Sequence, residues 1–313
     1  MSNNLYNLRK DFIILNLQSG KIYLSMAFFL AGSSVIAARF LADSLSPFTT
    51  TFMSLFFAVL TAIICSGVKT MQYIKQIRPA QWKILILQAV FGIFLFRVFL
   101  TVGLGYTSAV EAGIITGSSP AITGLLAWII LREPIKKKSV LGISLTLVGI
   151  LLLQGFPFNM AAFDVQHLTG NLFALGAAAC ESMFTTLSRK VYIDSDEEYN
   201  LPPLAQAGIV SGIALILCVI PMLIEKPMES LISLPTSGWL ALVWYGSIVT
   251  VVAFACMFAG AKRCDGYTIA AFTGLIPLSA LVLAVLILGE TVQMHQLAGC
   301  AFIISAILLM SRK

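Results

Sequence analysis

The chain has 313 residues, of which 58% are hydrophobic and only 11% are charged, with a formal net charge of +6. Ordinary soluble domains carry about 25% charged residues, so a water-covered surface is excluded for most of this chain and lipid has to take its place. The positive balance is no nucleic-acid signature, because the basic residues fall between apolar runs, as the positive-inside rule requires.

Ile22–Ala38 is the first apolar run, preceded by Arg9, Lys10 and Lys21. It imitates a secretory signal, but Arg39 and Phe40 follow its small residues and nine more apolar runs come after it. The spans predicted in chain order are 22–41, 47–66, 83–103, 106–131, 139–157, 169–188, 203–224, 237–260, 267–288 and 296–311. A helix needs about 20 apolar residues to cross the hydrocarbon. A membrane barrel would instead alternate in segments of about ten residues. Pro47 opens the second span, Pro134 follows the fourth and Pro202-Pro203 open the seventh. The expected organisation is an all-α membrane protein. It has an N-terminal segment 1–21, a first unit 22–157, a connecting loop 158–168 and a second unit 169–311. Within the first segment, 5–19 is mildly amphipathic and reads either as interfacial or as unstructured.

Ten crossings put both termini on one side. Seventeen of the 20 Lys and Arg residues then fall on that side, among them Lys136, Lys137, Lys138, Arg189, Lys190, Lys262 and Arg263. Arg39 and Lys226 lie on the far side and Arg97 lies inside a span. This bias places both termini in the cytoplasm. Trp82, Trp128, Trp239 and Tyr106 fall near span ends, where amphipathic rings prefer to sit. The six cysteines, at 65, 180, 218, 256, 264 and 300, show no paired spacing and read as inert packing residues.

Shifted by 157 positions, the chain matches itself. Thr116, Gly117 and Pro120 meet Thr273, Gly274 and Pro277; Glu133 meets Glu290; Gly103 and Gly142 meet Gly260 and Gly299. Each half holds five spans, an odd number, so the halves insert in opposite orientations. Inverted repeats place a solute site near the midplane between them, and two similar halves can exchange inward-open and outward-open arrangements at similar energy.

The stretches GYTSAVEAGIITGSSPAITGLLAWIILREP (105–134) and TGLIPLSALVLAVLILGET (273–291) each carry a proline-containing helix ending in Leu-x-Glu. On these, and over roughly 22–311, the chain resembles the EamA family of the drug/metabolite transporter superfamily. The resemblance implies ten helices in two inverted five-helix repeats in a bacterial inner membrane. It also implies export of amino acids, metabolites or toxic compounds by alternating access. It does not fix the substrate.

Pro120 and Pro277 each remove a helical hydrogen bond and free the carbonyls of Thr116 and Thr273; the pair reads either as packed kinks or as matched hinges. Gly113-x-x-x-Gly117, Ala270-x-x-x-Gly274 and Gly208-x-x-x-Gly212 are small-residue faces suited to close helix contact. Arg97, Glu111 and Glu181 are the intramembrane charges. Each costs about 2.5–3.5 kcal/mol at a helix centre unless it faces the interior. Arg97 and Glu111 come within about 3 Å of the same depth, at 1.5 Å rise per residue, and are expected to pair, as a structural lock or as a gate or zwitterion site. Glu181 reads as a carboxyl satisfied by Ser or Thr neighbours, as a binder of a substrate amine, or as a carrier of a coupling proton. None of the three charges is repeated in the other half. Arg39 and Asp43 read as a local surface pair, and Glu133 and Glu290 as capping or hinge contacts.

His167 and His295 lack metal-ligand spacing. There is no Walker loop, G-x-S-x-G elbow or H-E-x-x-H, and no cofactor is expected. The reading is a secondary transporter whose partners are a small-molecule substrate and the bilayer, with a monomer sufficient because both halves share one chain. The alternative is efflux of hydrophobic cations with Glu181 as the cation binder. A membrane enzyme or scaffold is the remaining class, and neither converging catalytic residues nor a large soluble domain is visible for it.

Overall fold

The computed structural model describes residues 18–41, 44–107, 112, 115–153, 155, 168–193, 201–289 and 291–311. Every regular element among them is helical. In chain order they are α1 (Gln18–Leu41), α2 (Pro47–Gln76), α3 (Pro79–Leu104), α4 (Ser119–Ile129), α5 (Lys137–Leu153), α6 (Leu168–Ile193) and α7 (Pro203–Ile224). Then follow α8 (Thr236–Ala261), α9 in two pieces (Gly266–Phe272 and Leu275–Leu288) and α10 (Met294–Ser311). A one-turn helix, Met228–Ile232, joins α7 to α8. Pro47, Pro79 and Pro203 each sit in a first turn, where a missing N–H costs nothing.

Six of these helices, α1, α2 as far as Gly67, α3, α7, α8 and α9, are long and apolar enough to cross a membrane; α4 and most of α10 are shorter apolar helices. The 26-residue α6 is more polar than these helices. Its polar residues Ser182, Thr185, Thr186 and Ser188 are buried inside the protein and meet no lipid. Leu24, Leu55, Phe258, Ile269 and Phe272 are buried in the interior, whereas Ile216 and Leu286 are 72% and 75% exposed. Large apolar side chains left outward in this way suit a hydrocarbon surround, not water.

The predicted spans and the helices differ at particular places. The second span was expected to end at 66. The helix breaks at Gly67, whose φ of 40° and ψ of −129° suit only glycine, and then continues to Gln76. The fourth and ninth spans are interrupted at turns, Gly117-Ser118 and Thr273-Gly274, that overlap at the repeat-equivalent Gly117 and Gly274. The Thr273 carbonyl is not left open by Pro277: the N–H of Ile276 donates to it at 3.0 Å, which tightens the break into a turn. The Thr273 and Thr116 hydroxyls donate to the carbonyls of Ala270 and Ala112, at 2.7 and 2.8 Å. Residues 108–111 and 113–114, with Asp43, His167 and Glu290, lie outside the described residues.

Two further breaks were not foreseen. α3 widens into π-helix at Val90–Leu95 and α8 does so at Tyr245–Val252. Leu95 and Val252 are repeat-equivalent residues, 157 apart. Wide turns of this kind cluster at functional sites.

Contacts between helix ends assemble two faces. On one, the Glu133 carboxylate, just after α4, accepts the Gly266 N–H at 2.7 Å and pairs with Arg189 at 3.5 Å. Arg189 also donates to the Ala261 carbonyl at 2.8 Å, and the Arg263 guanidinium lies 5.0 Å from the centre of the Tyr23 ring. These bonds gather the starts of α1 and α9 with the ends of α4, α6 and α8 into what we term the basic face. On the opposite face, the Glu225 carboxylate accepts the N–H groups of Phe48 and Thr49 at 3.1 and 2.7 Å, capping α2. There too the Thr107 hydroxyl donates to Asn171 at 2.7 Å, tying the end of α3 to the start of α6.

Candidate substrate cavity

Between α1, α2, α3, α6, α8 and α9 lies a cavity of about 260 Å³. Its lining follows the internal repeat. Gly92, Ile93, Phe96 and Arg97 of α3 line it, and so do their counterparts Val249, Thr250, Ala253 and Phe254 of α8. Phe184 and Thr185 of α6 line it together with their counterparts Ala27 and Phe28 of α1. A residue and its repeat partner share one cavity only when that cavity sits where the two halves meet. Both π-helical segments contribute, so the wide turns shape the wall directly.

The wall is mostly apolar, with two charged residues. The Arg97 guanidinium donates to the Tyr245 hydroxyl at 3.1 Å. Among the described residues no carboxylate lies within ion-pair distance of Arg97; Glu111, its expected partner, lies outside them. Glu181 enters from α6, and its carboxyl is hydrogen-bonded to the side chain of Ser119 at the start of α4. The neighbouring Ser182 hydroxyl donates to the Ser119 carbonyl at 2.9 Å. The broken turn before Pro120 thus presents Ser119 to α6 through both its hydroxyl and its carbonyl. Glu181 has the serine partner expected of a satisfied carboxyl, and it also lines the cavity.

The remaining sequence candidates lie elsewhere. Thr116, Gly117, Thr273, Gly274, Pro120 and Pro277 do not line the cavity, and Gly113 lies outside the described residues. Gly274 is a packing residue: a methyl group there would stand 2.9 Å from Thr146 of α5 and 3.1 Å from Ile303 of α10. In the α7 pair only Gly208 makes a close contact, against Ala62; around Gly212 there is open space. Tyr245, Thr51, Ser54 and Thr250 line the cavity and escaped the sequence reading. Tyr245 carried a usable signal, since a tyrosine in mid-span lies away from the interface where such rings settle.

On the basic face, burial raises the Glu133 carboxyl above its ordinary range, and Asp265 adds to this; the Gly266 N–H and Arg189 oppose it. Burial of Cys264 in the adjoining loop pushes its thiol up to about 12, in keeping with an inert cysteine.

Comparison with known proteins places these features in context. A family model described as "EamA-like transporter family" matches the chain twice, over residues 18–154 and 168–312. The uncharacterized transporter YetK of Bacillus subtilis is 27% identical over 294 residues, covering 91% of this chain and 84% of its own. A protein of Salmonella typhimurium named as a probable amino-acid metabolite efflux pump is 26% identical over 230 residues, covering 69% of this chain and 71% of its own. One solved crystal structure superposes with a TM-score of 0.75 at 19% identity, covering 93% of this chain and 96% of that one; it shows a shared fold.

Proposed function

Because this chain belongs to the EamA-like transporter family, we propose that it is a secondary transporter exporting a small zwitterionic metabolite, such as an amino acid, by alternating access. The reading includes ten crossings in two inverted five-helix repeats, with both termini on the cytoplasmic side of a bacterial inner membrane. Its boundaries are 22–157 and 169–311, and one chain suffices.

One observation carries the substrate class: Arg97 and Glu181 line the same small, mostly apolar cavity. A carboxylate is recognised by guanidinium and an ammonium group by a carboxylate, while an aromatic wall accepts the remainder. The efflux-pump name borne by one relative agrees with this chemistry. Efflux of hydrophobic cations draws support from Glu181 beside Phe28, Phe184 and Phe254, but the Arg97 charge in the same space repels a cation. Glu181 is also the residue placed to carry a coupling proton.

Flux assays in proteoliposomes, with an amino-acid panel and a cationic dye, test the reading. Amino-acid flux is expected in the wild type and its loss in Arg97→Gln. Glu181→Gln is expected to abolish flux driven by a pH gradient while expression is unchanged. Dye flux without amino-acid flux would overturn the zwitterion reading, and the absence of any flux would overturn transport.

A further inference from the structure

One helical turn beyond the cavity, towards the basic face, a chain of side-chain hydrogen bonds crosses from one repeat to the other. The cavity lining on α3 begins at Gly92 and on α6 ends at Thr185; Gln88 and Ser188 stand about one turn further on, about 6 Å and about 4.5 Å along their helices. The Tyr192 hydroxyl donates to Gln206 Oε1 at 2.7 Å, and Gln206 Nε2 donates to Gln88 Oε1 at 3.1 Å. Gln88 Nε2 donates to the Ser188 hydroxyl at 3.4 Å, and Ser188 donates to the carbonyl of Phe184, a cavity residue, at 2.7 Å. Gln88 comes from the first repeat; the other three come from the second. Gln88 and Gln206 are both 0% exposed.

We propose that this chain is the gate that closes the solute path towards the basic face, an amide seam that exchanges its bonds for water each time the protein opens there. The proposal rests on the transporter reading above. Parting an apolar seam exposes apolar area to water at full cost. Parting an amide seam trades each protein bond for one to water, so the net change is small. A joint that must open repeatedly is better built from the second material. The opposite face supports this. The repeat counterparts of Gln88 and Gln206 are Tyr245 and Thr49. They are not bonded to each other: Tyr245 is bonded to Arg97, and the Thr49 hydroxyl to Glu225 at 2.8 Å. The seam is thus made on one face and unmade at the equivalent place on the other.

Accessibility labelling tests the gate without knowledge of the solute. Ala31, which lines the cavity, is changed to cysteine in the full chain with its native cysteines replaced. A membrane-impermeant methanethiosulfonate is then added from either face of the membrane. The parent is expected to be labelled from both faces. Gln88→Leu with Gln206→Leu is expected to slow labelling from the basic face at least tenfold, leave the opposite-face rate unchanged and not lower the melting temperature. Gln88→Ala, which removes the middle link, is expected to speed basic-face labelling several-fold. A basic-face rate unchanged in both variants, or a fall from both faces alike, would overturn the gate. A parent labelled from one face only would overturn alternating access itself, a separate failure.

Discussion

Arg97 offers five N–H donors, and among the described residues its one hydrogen bond is to the Tyr245 hydroxyl. That bond orients the guanidinium without neutralising it, and under the proposed function its charge meets a solute carboxylate. Hydrogen bonds to charged groups are worth about 1.5–3 kcal/mol. Tyr245→Phe is therefore expected to raise the KM for a carboxylate solute about tenfold or more, the equivalent of about 1.4 kcal/mol. Uptake kinetics in proteoliposomes check this, with flux of a cationic dye unchanged in the same variant. Arg97 and Glu181 were legible in the sequence because a charge inside an apolar run demands an interior partner. Their meeting in one cavity was not, since it depends on how α3 and α6 turn their faces, and neither charge is repeated in the other half. Tyr245 was harder still: its mid-span place hinted at an interior partner, but only the fold shows where its hydroxyl goes.

Helices α4 and α9 meet through Glu133, which holds the first N–H of α9 from the end of α4. The raised Glu133 carboxyl means that the folded protein holds this proton more tightly than the unfolded chain does. Its contribution to stability is full below the ordinary carboxyl value of about 4.3 and is lost as pH rises through the raised value. Glu133→Gln removes that titration. In detergent, the fall in melting temperature from acid pH to neutrality is expected to be shallower in the variant; an identical slope would refute the assignment. The π-helical segments act at the same scale. A methyl group on Gly246 would collide with the Ser54 carbonyl oxygen, whereas one on Gly212 would meet nothing within 4 Å. Gly246→Ala is expected to cost about 1–3 kcal/mol through overpacking, and Gly212→Ala to gain up to about 0.5–1 kcal/mol from helix propensity, both read by thermal unfolding. The proline breaks could be read from residue type, but the Thr273 carbonyl expected to be freed is taken by the N–H of Ile276. The wide turns could not, because one extra residue in a uniformly apolar run leaves no mark on its periodicity.

The whole molecule is governed by a repeat that the sequence displays openly, and two separate family matches bear it out. Halves of five crossings each, as proposed, enter the membrane in opposite senses, and the contacts at helix ends agree with this. Glu133 of the first half caps a helix of the second on the basic face, and Glu225 of the second half caps a helix of the first on the opposite face. On the proposed ten crossings, 17 of the 20 Lys and Arg fall on one side. Because basic loops are retained in the cytoplasm, reporter fusions at both termini and in the loop at Lys262–Arg263 are expected to report the cytoplasmic side. A fusion after Lys226 is expected to report the other. Two termini on different sides would leave an odd number of crossings, and the halves would no longer be opposed. The cavity lining would then need another explanation: residues 157 apart line one cavity from both halves, as halves related by an axis lying in the membrane would bring them.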